Sequence, residues 1–558
     1  MQRDIQRLKS EQFDLLVIGG GITGACLAHE AALRGIKTAL VEKDDFGGFT
    51  SAASSKLLHG GIRYLPKLQL HKVRESARER AVFQRIAPHL TRTIPFIVPT
   101  FGNNFMQGQL AMTAGMGLYE FMRCGLNRKI PDSAKRIPPC YRLKRNDLLQ
   151  TYPQTCGLTA LTGAWVLPEV HMHNSERMTL AVIETACRNG VCAANYAPVS
   201  KLIGEKNRIS GVEVTDRVSH ETFKIRARIV ANAAGPLIPK LYQQNSRLRL
   251  KRPTTGYAKG VHLVTRQFNS DYALGLNTPS RTEGYLHRGG RHIFIIPWRG
   301  RSLIGTTNVP FSGDLDEVSV TRKDVIDFLG DINRALPSAG LTLQDVHYAF
   351  CGLYPLVAQD IEPGTYQGTG EYQIIDHGDQ DDIAGIVTVL GAKFTTARVV
   401  AEKASRLIAR KLKHMPAGRP GRKRPLLGGD IPDLDQFCRQ AEATYKHALD
   451  PGTVRHLIQR YGNRFPAVYE QIQSVPQGLR LLSPDRNTLQ GEIDYFLNQE
   501  MALHLDDVIF RRSGLGTIGH PGDDVISRVG EIMARHLGWG EAQLQDQILR
   551  VERRFSYR

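Results

Sequence analysis

A glycine-rich turn near the N-terminus constrains the fold of this chain more than any other feature. Residues 13–18, FDLLVI, form an apolar run typical of a buried strand, and the sequence Gly19-x-Gly21-x-x-Gly24 follows it directly. A small-residue helix at 25–34, a second buried strand at 38–41 and an acidic residue come next. In this order, the elements predict a strand–turn–helix–strand unit that binds a dinucleotide.

Each residue of this turn has a physical task. Gly19 permits the tight turn, Gly21 lets the backbone approach a pyrophosphate, and Gly24 lets the helix pack closely on the sheet. The N–H groups at the start of the helix then face the phosphates, and Thr23 is placed among the predicted contacts. Glu42 follows Gly24 at the distance at which a carboxylate accepts both hydroxyls of an adenosine ribose, which favours FAD or NAD over a 2′-phosphorylated dinucleotide.

The composition indicates a globular protein of two to four domains with a strongly basic balance. With 73 lysines and arginines against 54 acidic residues, the formal net charge of the 558-residue chain is +19. Such a charge favours an anionic partner (acidic lipid, a phosphorylated substrate or nucleic acid), although it can also serve solubility. Nucleic acid is the weakest of these, because no zinc-finger spacing, RNA-binding signature or basic helix leading into heptads is present.

Cysteine usage and hydropathy indicate the compartment. The eight cysteines are scattered without a CxxC pair, which argues against a zinc site or a disulfide framework and fits a reducing cytosol. His171 and His173 could share one face of a strand, but no further ligand cluster accompanies them, so no metal site is predicted. Because there is no apolar signal core and no apolar run of roughly 18 residues, we expect a cytoplasmic protein that can lie on a membrane without crossing it.

A second motif indicates which dinucleotide is bound. Residues 54–64, SSKLLHGGIRY, are too polar and glycine-rich for a structural connector. They resemble the segment SSK-L-[IL]-HGG-[LI]-RYL of the FAD-dependent glycerol-3-phosphate dehydrogenases and oxidases, which belong to the superfamily of D-amino-acid-oxidase-like flavoproteins. The resemblance implies FAD as cofactor, with contacts from Ser54, Ser55, Lys56, His59, Gly60 and Gly61.

Further segments match the same family in the same order along residues 13–545. They are NAAGP at 232–236 for the family's N-A-[TA]-G-P, KGVH at 259–262 for K-G-x-H, SLIGTTN at 302–308 for IIGTTD, GAKFTTAR at 391–398 for G-G-K-[LF]-T-T-x-R, and the C-terminal segments 461–464 and 492–512. These matches imply additional FAD contacts from Val199, Ala234, Gly235, Gly391, Lys393 and Thr395.

The fold that the resemblance implies is α/β. We expect a Rossmann-like FAD-binding domain of the glutathione-reductase type, an inserted substrate domain built on an antiparallel sheet, and a C-terminal all-α domain. The expected boundaries are 13–90, 165–240 and 340–412 for the FAD-binding domain, 91–164 and 241–339 for the substrate domain, and 426–558 for the helical domain.

The resemblance also implies the chemistry. The family oxidises the C2 hydroxyl of sn-glycerol 3-phosphate to dihydroxyacetone phosphate by hydride transfer to flavin N5, which requires a base, a fixed substrate and a cationic cradle for the phosphate. His262 is the candidate base, with a hydrogen-bonded core histidine as the alternative. Arg63 and Tyr64 are expected at the substrate face of the flavin, and Lys393 and Thr396 at the flavin edge or the substrate oxygen. Structural ion pairing is the alternative for Arg63 and Lys393.

The chain departs from the family where the phosphate should bind. Where the family reads G-[VL]-R-P-L, this chain has Tyr354 in place of the arginine, and where the family reads T-R-[DE]-Y, it has Gly370 in place of the arginine. Elsewhere, in the segment that matches IIGTTD, Asn308 replaces the aspartate. A planar guanidinium makes bidentate bonds to phosphate that neither tyrosine nor glycine replaces, at about 2–3 kcal/mol per lost contact. Tyr354 remains a predicted substrate contact, and compensating cations could come from Arg281, His287, Arg288 or Arg291, of which Arg291 is the predicted substrate ligand.

Two alternative functions follow from these departures. The flavin machinery could serve a different hydroxyl or amine substrate without a phosphate. A flavin-binding scaffold or sensor without turnover is a third class, and the retention of His262, Arg63 and Lys393 argues against it.

The electron acceptor and the oligomeric state are implied by the family only. Dehydrogenase members pass electrons to quinone as peripheral proteins of the inner membrane, oxidase members pass them to oxygen, and the C-terminal helical domain suggests a homodimer. Residues 109–122, QLAMTAGMGLYEFM, are apolar and precede basic residues. A buried helix is the default interpretation of this segment, and a helix that lies on an anionic membrane is the alternative.

Overall fold

A computed structural model describes residues 1–103, 107–205, 207–243, 256–278, 292–356, 372–391, 393–414, 418, 420–483 and 487–557. The strands are β1 (Gln12–Ile18), β2 (Thr38–Val41), β3 (Leu57–Leu58), β4 (Thr91–Phe101), β5 (Tyr141–Lys144), β6 (Leu161–Met172), β7 (Cys192–Ala194), β8 (Val199–Glu205), β9 (Arg208–Thr215), β10 (Thr222–Asn232), β11 (Gly256–Thr265), β12 (Ala273–Asn277), β13 (His292–Trp298), β14 (Arg301–Gly305), β15 (Val309–Phe311), β16 (Val346–Leu356), β17 (Gln373–Asp376) and β18 (Ile386–Leu390). The α-helices are α1 (Ile5–Ser10), α2 (Ile22–Ala32), α3 (Leu70–Ile86), α4 (Gln109–Arg123), α5 (Arg145–Thr151), α6 (Ser175–Arg188), α7 (Ile238–Gln243), α8 (Arg322–Ala335), α9 (His377–Gln380), α10 (Ala397–Lys411), α11 (Leu434–Tyr445), α12 (Pro451–Tyr461), α13 (Phe465–Gln473), α14 (Gly491–Gln499), α15 (Asp523–Leu537) and α16 (Glu541–Glu552).

A sheet with a parallel centre, here called the parallel sheet, is built around β1. Its order is β17-β18-β10-β1-β2-β7, and β1 pairs in parallel with both β10 and β2. Every residue of β2 is buried, and in β1 only Gln12 and Asp14 are not buried, as expected where helices cover a parallel sheet. Helix α2 packs against α6 and α10 through a shared apolar cluster. The predicted strand–turn–helix–strand unit is therefore confirmed.

A second sheet, here called the mixed sheet, has the order β15-β11-β14-β13-β12-β4-β6-β3, with β16 on β11 and β5 on β6. The pairings of β11 with β14, β15 and β16 are antiparallel, as predicted, and β4 with β12 is parallel. Two predicted domain boundaries do not follow the sheets, because β6 and β16 lie in the mixed sheet although 165–172 and 346–356 were assigned to the FAD-binding part. Buried residues alternate or run together similarly in both sheets, so side-chain pattern alone does not reveal which sheet a strand joins.

The C-terminal part is helical, as predicted, with α11 to α16 and a π-helix at Asp507–Arg512 around one apolar cluster. Buried ion pairs join it to the rest of the chain. Arg177 of α6 donates to Glu500 at 2.6 Å, and Arg464 donates to Glu184 of α6 at 3.0 Å. Such pairs are expensive to break because one charge is then left unpaired in the interior.

Helix α4 corrects the default interpretation of residues 109–122. Only Met116, Tyr119 and Arg123 are buried along this helix, whereas Leu110 and Phe121 are 84% and 74% exposed. The apolar residues therefore form two faces, one packed on the protein and one open to its surroundings. No described helix is both long enough and apolar enough to cross a bilayer.

Candidate active site

A cavity of about 850 Å³ lies between the two sheets. The carboxyl ends of the parallel strands contribute one wall, through Ile18 at the end of β1, Val41 at the end of β2 and Gly391 directly after β18. The mixed sheet contributes the opposite wall, through His262 of β11 and Gly352 of β16. Ligands of open α/β sheets bind outside the carboxyl ends of the strands, so the cavity is where a dinucleotide is expected.

The glycine turn has the close approaches that its sequence predicts. Gly19 has φ +103°, and a Cβ on it would lie 2.8 Å from the carbonyl oxygen of Ala233. A Cβ on Gly24 would lie 1.9 Å from the carbonyl oxygen of Gly19, so the helix can approach the strand only without a side chain there. Gly19, Gly21 and Thr23 line the cavity, whereas Gly24 acts by packing behind it.

Glu42 faces the cavity from the end of β2. Its carboxylate accepts hydrogen bonds from the backbone N–H of Gly20 at 2.6 Å and of Asp44 at 3.0 Å. Burial, followed by the charge of Asp44, raises the pKa of this carboxyl group. A carboxylate has about four acceptor positions, so two remain for the hydroxyls of a ribose.

The residues present fit FAD. The turn offers backbone that side chains would block, and Glu42 offers ribose acceptors. At the other end, Thr395 lines the cavity with a buried hydroxyl that has no hydrogen-bond partner in the described part of the chain. Val199, Ala234, Gly235 and Gly391 also line the cavity. Because an unpaired buried polar atom is unfavourable, we expect a polar group of the ligand to form a hydrogen bond with the Thr395 hydroxyl.

Only part of the segment 54–64 faces the cavity. Ser54, Ser55, His59 and Arg63 line it. Lys56 does not, because its ammonium group donates to Glu176 at 2.7 Å and to Ser175 at 3.1 Å and lies 5.0 Å from the centre of the Trp298 ring. The predicted FAD contact of Lys56 is therefore not made by its side chain, which joins the segment to the start of α6.

The two glycines of this segment are packing positions. A Cβ on Gly60 would lie 1.8 Å from the hydroxyl of Tyr119, and the Gly60 N–H donates to Glu169 at 2.8 Å. Gly61 has φ +83°, and a Cβ on it would lie 2.9 Å from Ser76. Neither glycine lines the cavity, so in place of the predicted cofactor contacts they let the loop pack on the helices beneath it.

Tyr64 positions two cations of the cavity and does not itself line it. Its buried ring lies 5.0 Å from the guanidinium of Arg63 and 4.2 Å from the ammonium of Lys393, and its hydroxyl accepts from Arg63 at 2.8 Å. Lys393 also donates to Ser76 at 3.1 Å. Burial, followed by the charge of Arg63, lowers the pKa of Lys393 to about 7. The cavity thus contains two neighbouring cations, one of which titrates near neutrality.

His262 is held on the opposite wall. Its Nε2 lies 2.9 Å from the hydroxyl of Ser55, and its ring stacks on Phe350 with centroids 5.1 Å apart. A Cβ on Gly305 would lie 2.1 Å from the ring, so the neighbouring strand must have glycine there. Burial lowers the pKa of His262 to about 3, with a further contribution from Lys56. The imidazole is therefore neutral at physiological pH and can accept a proton.

The remaining predicted contacts are distributed as follows. Tyr354 lines the cavity, and its hydroxyl donates to the amide oxygen of Asn308. Thr396 is buried and does not line the cavity, since it begins the turn into α10. Arg291 and Gly370, like the other residues considered as compensating cations, lie outside the described residues.

Sequence reasoning missed a clamp on the cofactor side of the cavity. Asp45 lines the cavity with Gly47 and Gly48, and its buried carboxylate accepts from Arg511 at 2.5 Å and from Arg512 at 2.9 Å. Burial opposes ionisation, but Arg512 and Arg511 outweigh it and lower the pKa of Asp45. More than 460 residues separate the partners, so no local pattern connects them. The available signal was a consecutive arginine pair directly after the apolar residues 508–510.

Comparisons with known proteins agree with this geometry. Residues 14–407 match the family described as FAD dependent oxidoreductase, and residues 420–544 match the C-terminal domain of alpha-glycerophosphate oxidase. Glycerol-3-phosphate dehydrogenase 2 of Mycobacterium tuberculosis is 32% identical over 97% of this chain and 88% of its own length.

The chain belongs to the glycerol-3-phosphate dehydrogenase family. Its glycerol-3-phosphate dehydrogenase relative from Synechocystis sp. is 29% identical over 98% of this chain and 97% of the relative. The solved glycerol-3-phosphate dehydrogenase of Bacillus halodurans, complexed with FAD, has a TM-score of 0.76 at 26% identity and covers 99% of this chain. As a family member, the protein is an FAD-dependent oxidoreductase with the predicted Rossmann-like FAD-binding fold.

Proposed function

We propose that this protein oxidises the C2 hydroxyl of sn-glycerol 3-phosphate to dihydroxyacetone phosphate. The observation that supports this most is the presence of His262, Arg63 and Lys393 in one cavity with the FAD turn. A neutral base and two cations are what the oxidation of a phosphorylated alcohol requires of a protein. The names of the relatives point to the same substrate.

In this proposal, His262 removes the hydroxyl proton. Its orientation is set by Ser55 and by the face of Phe350, so the imidazole ring is held in place. An anionic substrate in the same cavity raises the pKa of His262 toward the range in which a base is effective. FAD, when bound, accepts the hydride that leaves C2, so the C2–H bond breaks as the C2=O bond forms and the proton passes to His262.

Arg63 and Lys393 hold the substrate phosphate. Arg63 is fixed by its bond to Tyr64, and its planar guanidinium can make two parallel bonds to a phosphate. Lys393 contributes a second positive charge, since its ammonium group lies 4.2 Å from the centre of the Tyr64 ring. Holding the phosphate in this way fixes C2 relative to the base, which is the positioning that the reaction requires.

The pH dependence of anion binding tests the role of Lys393. Because its pKa is about 7, Lys393 is charged below that pH and loses its charge above it. We expect the dissociation constant for sulfate, whose charge is constant, to rise by up to about tenfold per pH unit between pH 7 and 8.5. Thermal shift titrations of the FAD-loaded protein with sulfate at each pH measure this dissociation constant. In Lys393→Arg the rise should disappear, and an unchanged rise would contradict the role.

Product formation under anaerobic conditions tests the reaction. We expect one equivalent of dihydroxyacetone phosphate for each equivalent of bound FAD when glycerol 3-phosphate is added without another acceptor. Reduction of the flavin without this product would contradict the proposed reaction. The alternative of an unphosphorylated hydroxyl or amine substrate is favoured by one observation, the tyrosine at position 354 of the cavity wall.

We propose further that electrons pass to quinone, with oxygen as the alternative acceptor, at the inner face of the cytoplasmic membrane. The outer face of α4 supports the membrane location. Its residues Leu110, Ala114, Gly117 and Phe121 are exposed at helical spacing. Exposed Arg128 and the following lysine lie just beyond the helix, and the chain has a net charge of +19. An apolar helix face beside basic residues is typical of binding to an anionic lipid surface. A homodimer is also proposed, on family resemblance alone.

Liposome co-sedimentation tests the membrane proposal. We expect the protein to sediment with vesicles that contain anionic lipid, and the variant Leu110→Asn/Phe121→Asn to bind at least tenfold more weakly because its apolar face is lost. Ile326→Asn is the matched control, since Ile326 is also an exposed apolar helical residue. Equal sedimentation of the double variant and the control would contradict a role for α4.

A further inference from the structure

Tyr354 and Asn308 are joined across the mixed sheet. Tyr354 lies on β16 and Asn308 directly precedes β15, and both strands pair with β11, on its opposite edges. The hydroxyl of Tyr354 donates to the side-chain oxygen of Asn308. The tyrosine ring passes over Gly260 of β11, where a Cβ would lie 3.4 Å from the ring, an ordinary van der Waals contact.

The same two positions are departures from the family pattern. The family's arginine in G-[VL]-R-P-L is Tyr354, and its aspartate in GTTD is Asn308. The two departures meet in one hydrogen bond, so that in place of a cation and an anion this chain has a neutral donor and a neutral acceptor. The net charge of the pair is unchanged, whereas the strong bidentate donor for a phosphate is gone.

We propose that Tyr354 and Asn308 form a neutral specificity unit that relaxes the requirement for phosphate, so that uncharged polyols are oxidised alongside glycerol 3-phosphate. Tyr354 contacts the substrate, and Asn308 is a positioning residue that fixes the tyrosine hydroxyl. The inference rests on the proposed function, since the same base and cofactor perform the oxidation. A tyrosine hydroxyl binds a neutral hydroxyl group well and distinguishes a phosphate from it only weakly.

Substrate comparison in the FAD-loaded protein tests the unit. We expect kcat/KM for glycerol 3-phosphate to exceed that for glycerol by no more than about 10⁴-fold, the contribution of roughly two charge-assisted contacts from the remaining cations. Tyr354→Arg should raise this ratio by about 10- to 100-fold through KM for glycerol 3-phosphate, with kcat and the values for glycerol little changed.

Asn308→Asp gives the decisive comparison. Alone, it should lower the ratio several-fold, because it adds a negative charge behind Tyr354. In the Tyr354→Arg background the same change should not lower the ratio, since the new carboxylate pairs with the new guanidinium. This lack of additivity is the signature of one unit. Tyr141→Arg and Asn103→Asp, both at exposed positions, are the matched controls for added charge.

A binding measurement provides a readout besides turnover. The dissociation constant for inorganic phosphate, followed by perturbation of the flavin absorbance and by thermal shift, should fall about tenfold or more in Tyr354→Arg and should stay unchanged in Tyr141→Arg. A ratio above about 10⁴ in the wild type, or additive effects of the two substitutions, would overturn the inference while leaving the proposed function intact. If neither substrate reduces a flavin that dithionite reduces, the proposed function fails instead.

Discussion

Replacing Arg512 by alanine should weaken FAD binding and destabilise the protein by up to about 3–5 kcal/mol, the typical cost of breaking a buried ion pair by removing one partner. Asp45 is fully buried in a network with Arg511, Arg512 and Asn195, whose amide donates to it at 3.1 Å. Asp45 also lines the cavity, as does Glu42, whose carboxylate is predicted to bind the ribose. Without Arg512, Asp45 keeps only Arg511, whose guanidinium also pairs with Asp506 and Asp507, and Asn195. Part of its buried charge is then uncompensated, so we expect the cavity loop that contains Asp45 to move.

Bound FAD per protein and the melting temperature measure this effect. Arg535→Ala is the control, because Arg535 is an exposed arginine of the same C-terminal region. If Arg512→Ala does not fold, the double variant Asp45→Asn/Arg512→Gln removes both charges and should recover part of the stability with weaker FAD binding. Full FAD content and an unchanged melting temperature in Arg512→Ala would show that the clamp does not support the cofactor loop.

Replacing His262 by asparagine should slow anaerobic flavin reduction by about 10²- to 10⁴-fold, the usual contribution of a general base. FAD should stay bound, because of the predicted FAD contacts only Ser55 is hydrogen-bonded to this ring in the described structure, and the asparagine side chain can still bond to a hydroxyl. Rapid mixing with glycerol 3-phosphate measures the rate. His71→Asn, at an exposed position, should react like the wild type. A rate for His262→Asn within threefold of the wild type would mean that the hydroxyl proton leaves by another route.

The nucleotide-binding half of the fold was predictable because its signals are local. The turn at Gly19, the close packing at Gly24 and the strand at Thr38–Val41 all follow from a few consecutive residues whose backbone requirements are strict. The sheet to which β6 belongs was not predictable, since its partners β4 and β5 are chosen by contacts remote in sequence. The surfaces of α4 were likewise decided by tertiary packing, because an apolar helix can be buried or open on either face.

Within the candidate site, the motif at residues 54–64 contains both residues that line the cavity and residues that pack the loop against its neighbours. Ser55 and Arg63 face the cavity, whereas Lys56 and Gly60 serve the packing of the same loop through Glu176 and Tyr119. A resemblance identifies the whole segment without separating these tasks, and only the geometry assigns them. The bond between Tyr354 and Asn308 is the opposite case, where two separate departures in sequence become one feature in space.

Oxidation of glycerol 3-phosphate in this cavity is tested most directly by the absorbance of the FAD-loaded protein on rapid anaerobic mixing with that substrate. We predict that the oxidised flavin band disappears in a single turnover, since a base, two cations and the cofactor turn share one cavity. An unchanged band, in a protein whose flavin dithionite still reduces, would contradict the claim that the cavity oxidises glycerol 3-phosphate.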